Sequence, residues 1–320
     1  MLGPIDQHLD AFRQQRSVQA GSLIISLFGD AVLPRGGTVW LGSLIRLLEP
    51  LGLNERLVRT AVFRLVKDGW LEATTQGRRS NYALSDSGRR RFEDASRLIY
   101  AAQAPEWDRR WRLIFLIGEL TAKEREHIRR ALFWQGFGAL NDGCFIHPGA
   151  DLAAAFDGLV ADGLGPYLKN LMPLQAADAR TGLSASNKDI AEQAWDLGDL
   201  SAAYERFAAT YLPLLVALSG DASAGLRDED AFLVRTLLIH DYRRLLLRDP
   251  ELPEVLLPTD WPGQRVRLLC KDIYRRLLGP SERHLDQHLS LADGSVPVAG
   301  PTLLARFRDD DPLLSLHRAG

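Results

Sequence analysis

The hydrophobic pattern between residues 53 and 84 predicts a helix followed by a two-stranded ribbon. Apolar side chains recur every three or four positions from Leu57 to Val66, which is the spacing of one helix face. Asn54 stands where a side-chain oxygen can cap the first turn, and Gly69 suits the left-handed residue that ends a helix. Further on, Gln76-Gly77 marks a tight turn between two short strands. A helix followed by a ribbon is the order of a recognition helix and a wing.

The rest of the first hundred residues fits the same kind of module. Ser22 to Phe28 is an apolar run between two glycines, and Leu41 to Leu48 is a second helical stretch that is followed by a proline. We expect these two helices to precede the recognition helix, and Trp40 to contribute a short third strand to the wing. Ser85 is suited to cap the helix after the wing. Residues 1 to 20 are expected to form a partly ordered lead-in.

A second pattern begins after a change of composition near residues 101 to 105. Thr121 and Glu124 have capping-box spacing, and Asn141-Asp142-Gly143 marks a hairpin turn. We predict a strand, a helix, a hairpin, a helix and a strand, at Trp111 to Ile117, Thr121 to Trp134, Gly136 to Leu140 with Cys144 to His147, Asp151 to Asp162, and Tyr167 to Pro173. This is the ferredoxin-like order. One face of such a sheet carries no helices, and we expect a second copy of the chain to cover it.

The remaining third of the chain is helical in pattern. Amphipathic stretches are predicted at Asn187 to Leu197, Leu200 to Ala217, Glu229 to Leu247 and Val266 to Leu278. The Pro-rich segment between the last two predicts a fixed loop, because proline lacks an amide hydrogen and breaks a helix. The tail after about residue 290 is expected to be loosely attached. The predicted fold class is therefore α+β, with a winged helix-turn-helix, a ferredoxin-like domain and a helical C-terminal domain.

The charge distribution indicates which partner the first module meets. The chain is 46% hydrophobic and 25% charged, with a formal net charge of −2. Residues 54 to 91 contain nine Lys or Arg against four Asp or Glu, a local net charge of +5. A local basic segment favours a polyanion, because each phosphate contact releases condensed counterions. Charge alone is also typical of a solvated helix face. The helix-and-ribbon order favours nucleic acid.

The candidate DNA contacts lie on the polar face of the recognition helix and at the turn of the wing. Arginine can donate two hydrogen bonds to guanine, and a phenyl ring or a threonine methyl can contact the methyl group of thymine. Phe63 has an alternative role, packing beneath the wing. The nine candidates are Arg56, Arg59, Thr60, Phe63, Arg64, Lys67, Arg78, Arg79 and Asn81.

Four segments taken together resemble the PaaX family, the repressors of phenylacetate-degradation operons. They read VRTAVFRLVKDGWL, WDRRWRLIFL, GFGALNDGCFIHP and IHDYRRLLLRDPELPEVLLPTDWPG, in this order between about residues 20 and 280. The resemblance implies a homodimeric repressor of double-stranded operator DNA whose central domain is Cas2-like. It also implies release from the operator by an acyl-coenzyme A, in this family usually phenylacetyl-coenzyme A. We divide the chain into a winged domain (1–104), a Cas2-like domain (105–180), an effector-sensing domain (181–290) and a tail (291–320).

The implied effector directs attention to a cationic and aromatic cluster in the C-terminal domain. An acyl-coenzyme A carries phosphates, an adenine and here a phenyl group, so it needs cations and aromatic surface. The candidate contacts are His240, Tyr242, Arg243, Arg244 and Trp261. The alternative is structural, with His240 and Arg243 tying the Pro-rich loop to its helix. In either case the cluster is expected about two domains away from the recognition helix.

An enzymatic function finds little support in the sequence. His284 and His288 have the spacing of a zinc helix but lack its glutamate, and no nucleophile elbow or phosphate loop occurs. We therefore expect no catalytic residue, no metal and no cofactor. The alternative hypothesis is a metal-dependent nuclease or RNA-binding module on the Cas2-like domain, supported only by Glu119 after the first strand. Two distant cysteines and the absence of a long apolar run predict a cytoplasmic protein without a transmembrane helix.

Overall fold

The computed structural model describes residues 3–15, 18–101, 105–177, 185–219 and 225–307. The chain forms two compact units. The first unit is made of Met1–Ala102, Tyr204–Leu247 and Arg265–Gly320, and the second of Gln103–Ala203 and Arg248–Gln264. The units cut across the four segments that we predicted, since the C-terminal helices share a unit with the winged domain. Among the described residues, no helix combines the length and the hydrophobicity that a bilayer crossing requires.

The first unit contains the winged helix-turn-helix. Its helices are α1 (Pro4–Arg13), α2 (Ala20–Leu27), α3 (Leu41–Leu48), α4 (Glu55–Lys67) and α5 (Asp86–Ile99), and its strands are β1 (Thr38–Trp40), β2 (Leu71–Gln76) and β3 (Arg79–Leu84). The antiparallel sheet has the order β1-β3-β2, which confirms the third wing strand that we predicted at Trp40. The expected lead-in is an ordered helix, because Leu9 and Phe12 of α1 are buried.

The local signals around α4 act as the sequence predicts. The Asn54 side chain accepts a hydrogen bond of 2.9 Å from the backbone N–H of Leu57, and Gly69 has a left-handed φ of 72°. Val58 and Val62 are buried in the core, whereas Leu57 at the edge of the apolar face is 37% exposed. The helix therefore begins with a satisfied cap and rests on one apolar face.

Three long helices of the C-terminal region contribute to the first unit. They are α9 (Leu197–Ser219, from Tyr204 onward), α10 (Asp228–Leu246) and α11 (Gly263–His288, from Arg265 onward). Residues 230 to 240 of α10 are all buried, so α10 is a core helix rather than an amphipathic surface helix. It packs against α2, the first helix of the helix-turn-helix. The C-terminal region thus contacts the DNA-binding fold directly.

Helix α11 extends ten residues beyond the predicted end and contains Pro280. Proline removes one backbone hydrogen bond, which disfavours a helix through this position. However, Leu277, Ser281, Leu285 and Leu289 are all fully buried at intervals of four residues. Burial of this stripe compensates for the missing bond and keeps the chain helical.

The segment that follows α11 is not loosely attached, which corrects the prediction for residues 291 to 307. We call residues 289–307 the C-terminal strap; it contains the short helix α12 (Thr302–Ala305). The backbone N–H of Trp40 donates to the Ser290 carbonyl at 3.0 Å, and that of Gly300 donates to the Pro34 carbonyl at 2.8 Å. Phe307 is completely buried. The strap therefore belongs to the winged part of the first unit, while residues 308–320 lie outside the described ranges.

The second unit has the predicted ferredoxin-like arrangement. It contains β4 (Arg110–Leu116), α6 (Ala122–Trp134), β5 (Gly138–Asn141), β6 (Cys144–His147), α7 (Leu152–Ala161), β7 (Leu171–Ala177) and α8 (Asn187–Ala194). The sheet is antiparallel with the order β5-β6-β4-β7. Ile114, Ile128, Phe145 and Leu159 join the sheet to α6 and α7. Strand β7 begins four residues later than predicted, because Gly165–Asn170 form a 3-10 helix.

The chain itself covers part of the sheet face that we expected a second copy to cover. Trp111 and Ile146 on that face pack against Trp195, Leu252 and Leu256, which come from the α8 region and the Pro-rich segment. Intramolecular packing thus provides part of the cover that we expected from a second copy. The reason is that the Pro-rich segment, read from sequence as a connecting loop, supplies apolar side chains to a second core. Met172 and Leu174 on the edge strand β7 remain 45% and 40% exposed.

Candidate DNA-binding surface

The outer face of α4 presents a continuous set of exposed side chains. All six candidates on this helix are exposed: Arg56, Arg59, Thr60, Phe63, Arg64 and Lys67. Phe63 has 70% of its surface exposed, so it does not pack beneath the wing, and that alternative is wrong. An exposed aromatic ring among four cations has no role in the core and is available to a partner.

Two of these side chains already have intramolecular partners on α4. Arg59 pairs with Glu55 one turn earlier at 2.7 Å, with both side chains more than half exposed. Such an exposed pair contributes about 0.3–0.5 kcal/mol and is readily exchanged for a phosphate or a guanine. The Thr60 hydroxyl donates to the Arg56 carbonyl at 2.8 Å. Neither contact removes the side chain from the exposed face.

The three wing candidates have two different environments. Arg78 is exposed and follows Gly77, whose left-handed φ of 62° makes the tight turn. Arg79 donates from Nη1 to the Ala292 carbonyl at 3.1 Å, and the Asn81 side-chain oxygen accepts from the Ala292 N–H at 2.8 Å. Asn81 therefore fixes the strap to β3. The side-chain pattern does not predict this role, because it indicates a loosely attached tail in place of the strap.

The recognition helix is connected to the C-terminal helices through a single intervening helix. A methyl group placed on Gly21 of α2 would lie 3.9 Å from the Leu65 side chain of α4, so these two helices are close. Helix α2 also packs against α10. The effector candidates on α10 are thus separated from α4 by one helix in space, although about two domains separate them along the sequence. This corrects our expectation for the position of the effector cluster.

Four of the five candidate effector residues lie on α10, and two of these are buried. His240 is 4% exposed and Tyr242 is 1% exposed. The Nδ1 atom of His240 lies 3.2 Å from the Ser26 hydroxyl of α2, and Arg243 donates to the same hydroxyl at 3.2 Å. Burial, and then the charges of Arg244 and Arg243, lower the pKa of His240 to about 4. His240 and Arg243 thus tie α10 to α2, not to the Pro-rich loop.

The other two effector candidates are more accessible. Arg244 is exposed on α10. Trp261 belongs to the second unit, where it and Trp195 line a cavity of about 640 Å³. Three carboxylates also line this cavity, from Glu192, Asp196 and Asp260. Carboxylates repel phosphates, so this cavity is poorly suited to a coenzyme A.

Sequence reasoning missed a buried ionic cluster centred on Asp30, which lies just after α2 and is 3% exposed. Its carboxylate accepts hydrogen bonds from the Tyr100 hydroxyl at 2.6 Å and the Tyr274 hydroxyl at 3.0 Å. Nε of Arg235 lies 2.7 Å from it, and Nη1 of Arg306 lies 2.8 Å from it. Burial by itself would raise the pKa of Asp30, but these two guanidinium groups hold it below its usual value.

The Asp30 cluster continues into a second layer of charges. Arg235 also pairs with Glu282 of α11 at 2.5 Å. Arg35 is buried and pairs with the same glutamate at 2.6 Å and with Asp286 at 2.8 Å. The cluster therefore joins α10, α11 and the strap to the segment between α2 and β1. One signal was visible in the sequence, an aspartate inside the apolar run SLIISLFGDAV.

The alternative nuclease site gains no additional ligand. Glu119 is exposed just after β4. Within the described part of the chain, no group of three or more His, Cys, Asp or Glu residues is arranged to hold a metal ion. His284 and His288 have their ring centroids 4.4 Å apart, and His284 stacks on Phe232. These imidazoles thus contribute to packing in the first unit.

Comparison with known proteins places these features in a family. Models described as PaaX-like protein, PaaX protein central Cas2-like domain and PaaX-like protein C-terminal domain match residues 19–88, 104–168 and 195–287. The chain is 40% identical over 303 residues to Transcriptional repressor PaaX of Escherichia coli (strain K12), covering 93% of this chain and 94% of that protein. The solved structure of uncharacterized protein Rv0674 from Mycobacterium tuberculosis is 26% identical with a TM-score of 0.47, covering 75% of this chain and 88% of that one. The chain therefore belongs to the PaaX-like family.

Proposed function

We propose that this PaaX-like transcriptional repressor binds double-stranded operator DNA with α4 in the major groove and the wing against the DNA backbone. The observation that carries the proposal is the exposed face of α4, where Phe63 and four cations are all open to a partner. The name of the Escherichia coli relative, a transcriptional repressor, supports it. The major groove of B-form DNA is wide enough to accept one α-helix of this kind.

The chemistry of the face assigns the individual roles. Arg56, Arg59 and Arg64 carry the forked donors that pair with guanine, and Phe63 provides an apolar surface for a thymine methyl group. Lys67 at the end of α4 and Arg78 at the wing turn are point contacts to phosphates, which position the protein without reading bases. Arg79 and Asn81 contribute through the wing, which they hold to the strap.

The test compares two arginines that form the same kind of ion pair. Arg59 pairs with Glu55, and Arg129 of α6 pairs with Glu126, both at 2.7 Å, and both arginine side chains are more than half exposed. We expect Arg59→Ala and Lys67→Ala to abolish the shift of operator DNA in a gel, while Arg129→Ala binds as the wild type does. All three variants should melt at the wild-type temperature. Unchanged operator binding by Arg59→Ala would show that α4 is not part of the DNA interface.

We further propose that the repressor acts as a homodimer that presents two copies of α4 to a paired operator site. The supporting feature is β7, an edge strand whose Met172 and Leu174 are partly exposed. Edge strands with apolar side chains pair readily with a second copy. Light scattering should give twice the chain mass, and Leu174→Lys should reduce it towards one chain mass. A monomer that still occupies a paired site with full affinity would contradict the dimer.

The proposed effector is phenylacetyl-coenzyme A or a related acyl-coenzyme A, and the proposed target is an aromatic-acid (phenylacetate) degradation operon. Arg243 and Arg244 are the phosphate ligands of this proposal, with His240 and Tyr242 holding α10 in place. An effector bound at α10 would act on α2, and α2 supports α4.

The effector proposal is tested by thermal shift, since a ligand that binds only the folded state raises the melting temperature. Phenylacetyl-coenzyme A should raise it and release the operator, and free coenzyme A serves as the control. Arg244→Ala should weaken the thermal shift without changing operator binding, because Arg244 is exposed and distant in sequence from the wing. No shift with phenylacetyl-coenzyme A would reject this effector and leave the DNA-binding proposal standing.

A further inference from the structure

Two guanidinium groups share the ring of Trp40 at the base of the wing. The Cζ atom of Arg46 lies 5.2 Å from the centroid of this ring, and that of Arg79 lies 4.6 Å from it. Trp40 ends β1, Arg46 belongs to α3, and Arg79 opens β3. Since β3 pairs directly with β1, the three side chains are brought together by regular secondary structure.

Neighbouring backbone holds this arrangement in place. A Cβ atom on Gly42 would lie 2.5 Å from the Trp40 indole, so the glycine lets the ring lie against the start of α3. The backbone N–H of Trp40 donates to the Ser290 carbonyl, and the Arg79 side chain donates to the Ala292 carbonyl. The strap therefore holds the backbone at Trp40 and one guanidinium group. A site with fixed donors binds an anion at a lower entropic cost than flexible side chains do.

The two arginines of this site expose their positive charge to solvent. Both arginines are exposed, and in the described part of the chain neither forms an ion pair with a carboxylate. Two like charges that share one aromatic ring repel each other, and a bound anion offsets this repulsion. Stacking on an aromatic face leaves the N–H edge of the Arg46 guanidinium available to a phosphate in a two-pronged hydrogen bond, whereas Nη1 of Arg79 already donates to the Ala292 carbonyl.

We propose that Arg46, Trp40 and Arg79 form a phosphate-binding site for the DNA backbone, distinct from the base-reading face of α4. Helix α3 precedes the recognition helix, and in helix-turn-helix proteins the preceding helix crosses the DNA backbone. Arg46 and Trp40 thereby become DNA-binding elements in addition to those on α4 and at the wing turn. This inference rests on the proposed DNA-binding function. It specifies that the group bound at Arg46, Trp40 and Arg79 is a phosphodiester of the DNA backbone.

The experiment measures the dissociation constant for operator DNA and for unrelated DNA over a range of salt concentrations. Loss of one phosphate contact lowers the slope of log K against log salt by about 0.9. We expect Arg46→Ala to show this decrease and to weaken binding to both DNAs by about tenfold, because a phosphate contact carries no sequence information. Arg46→Lys, which keeps the charge, should retain the wild-type slope. Arg206→Ala on the exposed face of α9 is the matched control and should leave slope and affinity unchanged.

Several outcomes would overturn the inference. A wild-type slope in Arg46→Ala would show that no phosphate contact was lost. Weakening on the operator alone would show that Arg46 reads bases. If Arg46→Ala melts early, Arg46→Gln, which keeps most of the stem against the ring, must show the same reduced slope. Failure of the wild type to bind either DNA would instead overturn the proposed function itself, and this inference with it.

Discussion

The recognition helix α4 and the buried cluster around Asp30 both collect arginines, and they differ in what surrounds each guanidinium. On α4 the arginines are exposed, and Arg59 pairs with a neighbouring glutamate on the same helix. At Asp30 the guanidinium groups of Arg235 and Arg306 are almost fully buried and contact a carboxylate. The first group is available to DNA, whereas the second joins distant parts of the chain. The environment therefore decides which role an arginine has.

The two regions also differ in how energy is distributed. An exposed ion pair is screened by water and contributes little to folding. A buried pair has given up hydration, so removing one partner leaves an uncompensated charge in a medium that solvates it poorly. Substitutions at α4 should therefore change binding but not stability, and substitutions at the Asp30 cluster should change stability first.

The largest effect is expected from Asp30→Ala. This substitution leaves Arg235 and Arg306 buried without their shared carboxylate, and we expect the free energy of unfolding to fall by about 3–5 kcal/mol. Urea denaturation followed by circular dichroism measures this loss. Asp286→Ala is the control, since that carboxylate is exposed and pairs at the rim of the cluster. A loss below about 1 kcal/mol for Asp30→Ala would contradict the conclusion that the Asp30 cluster stabilises the fold.

A smaller effect is expected from His240, through pH. Its folded-state pKa of about 4 lies below the unfolded value of 6.5, so the unfolded state binds the proton more readily between these two values. The contribution of neutral His240 to stability is therefore complete above pH 6.5 and is lost as the pH falls towards 4. Its full size is on the order of 3 kcal/mol. Between pH 7 and pH 4, the free energy of unfolding should depend less on pH for His240→Gln than for the wild type. An equal dependence in both proteins would show that His240 does not have this role.

A substitution at Phe63 tests whether the exposed face of α4 serves binding rather than stability. Because 70% of its surface is exposed, we expect Phe63→Ala to change the free energy of unfolding by less than about 0.5 kcal/mol. Its affinity for the operator should fall by about 1–3 kcal/mol, and the variant should no longer distinguish thymine from uracil at the contacted base. Phe28→Ala provides the contrast, since that ring is fully buried and its removal should cost about 3–5 kcal/mol of stability. Fluorescence anisotropy with both DNAs gives the affinities.

The comparison also explains which features could be predicted from sequence. The cap at Asn54, the helical spacing of α4 and the turn at Gly77 are local signals, and the structure contains all three. The Asp30 cluster draws its partners from positions 100, 235, 274 and 306, so no short window of sequence contains it. Family resemblance supplied the domain types, but not the fact that α10 packs against α2. Long-range polar contacts are therefore the part that sequence reasoning lacked.

The C-terminal strap was missed for a related reason. Its bonds to Trp40 and Pro34 use backbone N–H and C=O groups, which every residue carries and which leave no trace in the side-chain pattern. Pro280 likewise disfavours a helix that reaches the strap, although α11 continues through it. A polar, Pro- and Gly-containing segment can thus be firmly bound when its backbone finds partners.

The smallest predicted effect concerns Asn81, where the two regions meet. Its side-chain oxygen accepts the Ala292 N–H, so Asn81→Ala leaves that donor without its partner at a cost of about 1–2 kcal/mol. The strap should then exchange its amide hydrogens faster around residues 290 to 292, which hydrogen exchange with mass spectrometry detects, while α4 exchanges as before. Operator affinity should fall only slightly, since Asn81 supports the wing without touching DNA. A large loss of affinity with unchanged exchange in the strap would instead make Asn81 a direct DNA contact. The DNA-binding surface would then include strand β3 of the wing.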